Sequence, residues 1–481
     1  MASRIKMTEA KKNLLSPDNR AVWLWAVVAG VVVMIMQWWL VARAGTDIPF
    51  QDQWDLEGKW LYPAWRDGTL RLADLFRPYN GQRLVCTHLL NLCLFVLDGQ
   101  WNPLLQMAVG ALLHAVGAMF LTRKLAALGA GWKARGAIIA GVVLACLPLA
   151  SWFNALNGFQ SLVYFTLGFS LISFACLGEV NASAIKLLAG TAAGFAAMLS
   201  SGAGELVPVA LVGLMILRIA EARGGKNILR TVWPAAVLLV AAVALMASVP
   251  PDHNVQALQS HSAGEFLAAF ARLMAWPHID QPLAALALNL PIILIVMGRI
   301  TRRRQPRAGE DFVLLLGGWA VAIALAMAWA RGGDGELLAG FIPSRYVDFI
   351  VLLPLANAWC AIVLAAEAIG PWRTRARVLA AVWCIFLFIG WLGVSLEMWR
   401  GIVRPRIHDR LAPVRLAVAF QASGDATVFA GQPRLYVPYP NPESILVVLR
   451  DPRLQGALPP SFQPKQPLGP LSRAVRALMD Q

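Results

Sequence analysis

Residues 21–40, AVWLWAVVAGVVVMIMQWWL, are twenty consecutive residues without a charged side chain. A bilayer core about 30 Å thick needs about 20 apolar residues in an α-helix, so this stretch predicts a membrane span. Lys11, Lys12 and Arg20 precede it, and no small-residue cleavage site follows it. We therefore expect a retained signal-anchor span rather than a removed signal peptide, with residues 1–20 as a cytoplasmic tail.

Similar apolar runs recur through the chain of 481 residues, which is 58% hydrophobic and 14% charged, with a mean hydropathy of +0.59. Soluble domains carry about 25% charged residues, so composition predicts an all-α polytopic membrane protein. The net charge of +15 is concentrated in loops after every second run, as the positive-inside rule requires. Charge distribution thus favours membrane topology over nucleic-acid binding.

The runs predict about eleven spans in a transmembrane unit, residues 21–398, with the N-terminus in the cytoplasm and the C-terminus outside. The predicted spans are Ala21–Leu40, Leu104–Leu121, Gly136–Ala150, Gly158–Leu177, Leu187–Leu199, Glu205–Leu217, Thr231–Val249, Pro282–Val296, Phe312–Ala330, Arg345–Ala365 and Val378–Glu397.

The longest predicted external loop between spans comprises residues 41–103. Asp55–Asp67 and Leu70–Phe76 have the mixed apolar and charged spacing of a helix that lies at the membrane interface. Leu84–Leu97 is apolar but short, and a crossing there would invert every later loop. We therefore predict it as a second juxtamembrane helix on the outer surface.

The remaining segment, residues 399–481, is rich in proline. Proline excludes long helices, so we expect a small extended appendage packed on the outer face. Ala426–Ala430 and Ile445–Leu449 have the composition of short strands.

Metal and disulfide sites are not indicated. The six cysteines form no CxxC pair and lie in apolar runs, so we expect small buried hydrophobic side chains. His253, His261 and His278 lack the spacing of metal ligands.

The stretch Ile48-Pro49-Phe50-Gln51-Asp52-Gln53-Trp54-Asp55 follows the first span and combines two carboxylates with two amides. The other notable charged residues also lie in loops or at the outer ends of spans rather than at mid-membrane. An ion-coupled transporter places ionisable groups near the midplane. The pattern instead predicts a reaction at the outer surface, on a substrate partly in lipid.

The layout resembles the GT-C superfamily of polyprenyl-phosphate-sugar-dependent glycosyltransferases, which have many spans and a long first external loop. Three short motifs carry the resemblance: Asp52-Gln53-Trp54-Asp55 after the first span, Tyr79-Asn80-Gly81-Gln82-Arg83 near the loop's end, and Ser344-Arg345-Tyr346 at a late span. Gly81 and Gln82 stand where the family has an acidic residue and a histidine, so no role is carried over to them.

The resemblance implies transfer of a monosaccharide from a polyprenyl-phosphate carrier to a glycan, lipid or protein acceptor, with inversion, on the periplasmic face of a bacterial inner membrane. Asp52 or Asp55 would be the general base, and we favour Asp52 with Asp55 as its support, because an aspartate at position 55 could equally cap a helix. Arg83 and Arg345 suit the leaving phosphate, although arginines also anchor span ends.

Further substrate-binding candidates are Asn80, His88 and Tyr346. His88 stands alone on an apolar helix, where a structural partner is the simpler expectation. No cofactor is required, although the two carboxylates could bind a divalent cation. A flippase of lipid-linked glycans and a catalytically inactive scaffold are the alternative functions.

Overall fold

The computed structural model describes residues 17–128, 131–221, 228–250, 256–307, 309–338 and 342–479. Every regular element in these ranges is a helix, and the one β-bridge joins Tyr79 to Gln82. Most of the predicted N-terminal tail, together with His253, lies outside the described residues. The all-α prediction is confirmed for the described part of the chain.

Seven helices are long and apolar enough to cross a membrane. They are Arg20–Ala44, Pro103–Ala127, Gly158–Leu177, Gly202–Ala220, Glu310–Arg331, Ser344–Glu367 and Trp372–His408. Each overlaps a predicted span, because a run of 18 or more apolar residues is a strong signal by itself. The structure therefore supports a multi-pass helical membrane protein.

The other four predicted spans coincide with helices that have fewer than 18 residues in their described part: Trp132–Ala145, Ala184–Met198, Val232–Ala247 and Ala284–Ile300. A helix of 14 residues, such as the first of these, is about 21 Å long and shorter than the hydrocarbon core. The number of crossings beyond seven stays a prediction.

The bundle is held by one large apolar core in which Trp319, Trp359 and Phe174 are fully buried. The first span packs along Pro103–Ala127 over most of its length. An amphipathic helix, Ala263–Met274, packs against Glu310–Arg331 and was not predicted.

Buried ion pairs join helix ends at one end of the bundle, which we call the basic end. Arg299 pairs with Glu221 and lies 2.6 Å from Asp311, which also accepts from Arg218 at 2.6 Å. Removing one member of such a network leaves an uncompensated buried charge, so the network fixes the helix ends relative to one another. The sequence predicted these arginines only as topology-setting charges.

At the opposite end, which we call the site end, the chain between Ala44 and Pro103 forms the first loop, residues 45–102. It contains a π-helix, Trp54–Leu61, followed by further short helices, Tyr62–Arg66, Leu72–Phe76 and Val85–Asp98. The helices predicted in this loop are therefore present.

The C-terminal segment, residues 399–479 of the described chain, consists of short helices and turns. Its helices are Trp399–Val403, Arg404–His408, Ala412–Ser423, Ala426–Phe429, Pro442–Leu449, Pro452–Leu454, Pro460–Phe462 and Pro470–Met479.

Both strand predictions in this segment were wrong. Ala426–Phe429 is a 3-10 helix, and Pro442–Leu449 is an α-helix. The side chain of Asn441 accepts the backbone N–H of Glu443 at 3.1 Å, and Pro442 occupies the first turn. These start signals and burial of the apolar face outweigh the β-propensity of isoleucine and valine.

The first loop and the C-terminal segment share a second core. Its members include Trp54, Trp101, Phe420, Ile445 and Val448, all nearly or fully buried. The two stretches, far apart in sequence, therefore fold as one cap over the site end.

Glycine is required at position 58 of this cap. A Cβ added to Gly58 would lie 2.8 Å from Val448 Cγ1, closer than carbon atoms normally approach. The absence of a side chain there lets Pro442–Leu449 pack directly on the π-helix.

Candidate functional site

Asp52 lies at the start of the first loop, immediately before the π-helix, and is half-buried. The Tyr79 hydroxyl donates to Asp52 Oδ1 at 3.1 Å. Burial raises the pKa of the Asp52 carboxyl, while the Tyr79 hydrogen bond and the charges of Arg345 and Arg331 act in the opposite direction. Among the described residues Tyr79 is the one side chain that hydrogen-bonds the Asp52 carboxylate, and it does so at Oδ1.

Arg345 and Tyr346 lie in the 3-10 helix Ser344–Tyr346, which begins a span at the site end. The Arg345 guanidinium lies 5.0 Å from the centre of the Tyr346 ring. Its charge acts on Asp52, although no ion pair joins the two among the described residues. Asp52 and Arg345 thus face a common region without neutralising each other in a direct contact.

A neighbouring turn fixes the backbone of this arginine. Asn154 Nδ2 donates to the Arg345 carbonyl at 3.1 Å and to Asp348 Oδ2 at 2.8 Å. Ser344 Oγ accepts the backbone N–H of Phe153 at 3.1 Å. The Trp152–Ala155 helix therefore positions the Ser344–Tyr346 motif.

Asp55 is engaged in the fold. Its carboxylate lies 2.6 Å from Lys59 Nζ and accepts the hydroxyl of Tyr439 in the C-terminal segment. Lys59 in turn donates to Ser444 Oγ at 2.7 Å. These contacts attach the C-terminal segment to the π-helix, and the charge of Asp55 also raises the pKa of Asp52.

Arg83 is buried and directed toward the end of Ile228–Ala247. Its Nη1 donates to the Leu245 carbonyl at 3.0 Å, and its Nη2 donates to Ser248 Oγ at 2.7 Å. No contact in the described chain joins Arg83 to Asp52. Its predicted contact with phosphate remains a prediction, and the structure gives it protein partners instead.

His88 and Asn80 also lie apart from direct contact with Asp52. His88 is buried, its Nδ1 lies 3.2 Å from the Leu75 carbonyl, and its ring packs edge-on against Trp60 at 5.3 Å. Burial lowers the pKa of His88 to about 4, so the ring is neutral at pH 7. Asn80 is exposed and adopts a φ of 46° in the turn before Arg83.

Glu57 is the most connected polar residue of the cap, and the sequence analysis did not single it out. It is 1% exposed and accepts hydrogen bonds from five neutral side chains. They are Asn91 at 2.8 Å, Trp101 at 2.7 Å, Gln106 at 2.9 Å, Tyr62 at 3.0 Å and Gln53 at 3.3 Å. Burial raises the pKa of Glu57, and these donors partly offset the effect.

A second missed group lies inside the bundle. His114 Nδ1 is 2.9 Å from Gln37 Oε1, and Gln37 Nε2 donates to the Tyr164 hydroxyl at 2.7 Å. His114 and Tyr164 border a cavity of about 20 Å³ together with Asp348, which is 3% exposed. His114 lies near the middle of Pro103–Ala127 and is an ionisable group at the centre of a predicted span, where the sequence analysis expected few. A single histidine in an apolar run was its only sequence signal.

No group of three potential metal ligands occurs among the described residues. All six cysteines are free, and Cys146 and Cys360 are buried as expected. Cys93 is exposed, so the prediction of burial was wrong for it; it lies on the outward side of Val85–Asp98.

Two grooves of about 720 Å³ and 380 Å³ border the first span. Neither is lined by Asp52 or Arg345. The region between these two charges is therefore distinct from both grooves.

These features define a class: a multi-pass helical membrane protein with a carboxylate, a tyrosine and two arginines gathered beneath a folded cap at one end of its bundle. No protein-family model matches the chain, and no curated protein is significantly similar to it.

Proposed function

We propose that this protein is a glycosyltransferase of the GT-C type that uses a polyprenyl-phosphate sugar as donor. One observation supports the proposal above the others: Tyr79 donates a hydrogen bond to Asp52, and the charges of Arg345 and Arg331, from distant parts of the sequence, lower the pKa of the same carboxyl. A carboxylate and cations held near each other without direct neutralisation suit a reaction that removes a proton and releases a phosphate.

The proposed reaction is a single displacement. Asp52 Oδ2 accepts the proton of the acceptor hydroxyl while the hydroxyl oxygen forms a bond to the anomeric carbon. The bond from that carbon to the phosphate oxygen breaks, and polyprenyl phosphate leaves with the electron pair. The configuration is inverted, and no covalent enzyme intermediate is formed.

The environment of Asp52 suits a general base. A base is most effective when its pKa lies near the working pH, and burial raises the pKa of Asp52 toward that range. Arg345 and Arg331 would stabilise the negative charge that develops on the leaving phosphate. Asp55 would position the π-helix through Lys59 and Tyr439 rather than take part in the chemistry.

The proposed topology has eleven spans in a bacterial inner membrane. The N-terminus lies in the cytoplasm, and the first loop and the C-terminal segment lie on the periplasmic face. The acceptor is a glycan, a lipid or a protein.

The test uses the full chain in proteoliposomes with a radiolabelled polyprenyl-phosphate monosaccharide and a set of candidate acceptors. The expected result is labelled product with inverted anomeric configuration and one equivalent of polyprenyl phosphate per transfer. Donor that remains intact with every acceptor class, in protein that binds it, would refute the proposal.

A flippase of lipid-linked glycans is the second candidate, and the group formed by Gln37, His114, Tyr164 and Asp348 favours it. Ionisable side chains buried within membrane helices often mark transport pathways. The same proteoliposomes separate the two functions, because a flippase moves intact donor between leaflets without cleaving it. A His114→Gln variant that abolished such movement would support transport.

A further inference from the structure

The larger groove lies between the first span and the C-terminal helix, Pro470–Met479. Its volume is about 720 Å³, within the usual range of ligand pockets of about 300–1,000 Å³. Trp38, Trp39, Ala108 and Leu478 are among the side chains that line it. The groove is therefore mostly apolar and aromatic along its length.

The groove opens on a face of the first span that is expected to contact lipid. Ile35 and Trp39 are apolar side chains on this face that remain 54% and 39% exposed. Tryptophan concentrates at the boundary between hydrocarbon and water, and Arg43 follows one turn later at the end of the helix. The groove therefore lies where acyl chains meet headgroups.

A second, more polar pocket of about 380 Å³ continues from the groove. Ala42, Arg410, Val475 and Met479 line both spaces. Thr46, Asn102, Ser461 and Gln466 line only the polar pocket. An apolar channel that continues into a polar pocket matches an amphiphilic ligand.

The charges at the junction specify an anionic headgroup. Arg43 and Arg410 line the groove, and no acidic side chain is among its described lining residues. Arg410 donates to the Ala42 carbonyl at 2.6 Å, which uses one of the five N–H donors of its guanidinium. The carboxylate of Asp47, which lines the polar pocket, accepts hydrogen bonds from the backbone N–H and the hydroxyl of Ser461, both at 2.7 Å.

The C-terminal helix forms an anchored wall of this site. Leu471, Val475 and Leu478 lie on one face at helical spacing, and Leu478 is 58% exposed. Asp98 Oδ1 accepts the backbone N–H groups of Leu471 and Ser472, both at 2.9 Å, which fixes the beginning of the helix. An apolar wall held in place but open on one side suits a lipid tail.

We propose that the groove binds an anionic glycerophospholipid, with an acyl chain along the first span and the phosphate beside Arg43 and Arg410. This site is separate from the region of Asp52, and its test does not depend on transferase activity. The lipid would complete the contact between the first span and the C-terminal segment.

The test is native mass spectrometry of the full chain released from nanodiscs that contain equal amounts of phosphatidylglycerol and phosphatidylcholine. The wild type should retain phosphatidylglycerol preferentially. An Arg43→Gln/Arg410→Gln double variant should bind it about 30-fold more weakly, since each cation near the membrane surface contributes about fivefold. An Arg473→Gln control, on the same helix but outside both grooves, should match the wild type.

A Val475→Trp variant fills the junction without changing charge and should lose both lipids. If the thermal midpoint shows that the double variant does not fold, the Val475→Trp variant tests by itself whether the groove binds lipid. The proposal would be overturned if the wild type retained the two lipids equally, or if a folded double or Val475→Trp variant retained phosphatidylglycerol as well as the wild type. It would also be overturned if the protein preferred added polyprenyl phosphate, or if a second copy of the chain occupied the groove in place of lipid.

Discussion

Replacement of Glu57 tests whether the buried carboxylate holds the cap together. In Glu57→Gln one oxygen becomes an NH₂ group that cannot accept a hydrogen bond. The oxygen that accepts fewer hydrogen bonds is Oε1, and we expect the NH₂ group at this position. The donor that then loses its acceptor is Asn91 Nδ2, which lies 2.8 Å from Oε1. Loss of an acceptor for one buried donor costs about 1–3 kcal/mol, so we expect a loss of about 2 kcal/mol of stability.

Glu57→Leu should be more damaging. Gln106 can still donate to the Tyr62 hydroxyl at 2.9 Å, and Gln53 can still donate to Gln106 at 2.6 Å. Trp101 and Asn91 would each be left with a buried donor and no acceptor. Two such donors predict a loss of about 2–6 kcal/mol.

The assay combines thermal unfolding in detergent with limited trypsin digestion. The predicted order of stability is wild type, then the glutamine variant, then the leucine variant, with faster cleavage in the first loop and the C-terminal segment. Glu443→Gln is the matched control, because this exposed acid lies in the same cap without a buried network. A leucine variant as stable as the wild type would refute the reasoning, as happens where apolar replacements outperform buried charges.

The pH dependence of stability provides a second readout. Burial raises the pKa of Glu57 above its ordinary value of 4.5, so the folded protein holds this proton more tightly than the unfolded chain. Its contribution to stability should therefore fall as the pH rises from 4.5 through the raised pKa. Glu57→Gln should remove this part of the pH dependence.

Three further predictions concern the cap and the proposed base. Tyr79→Phe removes a hydrogen-bond donor that lowers the pKa of Asp52, so the rising limb of the pH profile of the transfer rate should move to higher pH. A limb that stays at the same pH would contradict this. The pKa of His88 falls from 6.5 to about 4 on folding, so the free energy of unfolding should decrease by about 3 kcal/mol as the pH falls from 6.5 to below 4. The thermal midpoint of the wild type should fall over this pH range, and that of His88→Gln should fall less. Gly58→Ala should destabilise by about 1–3 kcal/mol through contact with Val448, whereas Gly401→Ala, with open space around its Cβ, should not.

The membrane spans were predictable from sequence because a bilayer imposes a length requirement that each segment satisfies by itself. Residues 21–40 meet it without reference to any other part of the chain. Trp132–Ala145 shows where this reasoning loses force, since its 14 residues are apolar but short. The conformation of Ile445–Leu449 was mispredicted because the capping residues that decide it precede the β-branched run.

The sequence favoured Asp52 over Asp55 as the proposed base because an aspartate at position 55 could cap a helix. The Tyr439 hydroxyl, from the distant C-terminal segment, donates a hydrogen bond to the Asp55 carboxylate. Asp52 accepts from Tyr79 through Oδ1, and no described side chain hydrogen-bonds its Oδ2. Glu57 was missed for a similar reason, since three of its five donors, Asn91, Trp101 and Gln106, reach it only through the tertiary fold. Local sequence located the polar cluster, and long-range contacts distinguish its members.

The most direct test of the account measures single-turnover transfer by Asp52→Asn in proteoliposomes, with donor binding measured separately. A general base contributes about 10²–10⁴-fold, so the account predicts a loss of at least about 100-fold in the transfer step with unchanged donor affinity. Asp55→Asn, assigned a positioning role, should lose less and should also loosen the C-terminal segment. Transfer by Asp52→Asn at the wild-type rate would contradict the central claim.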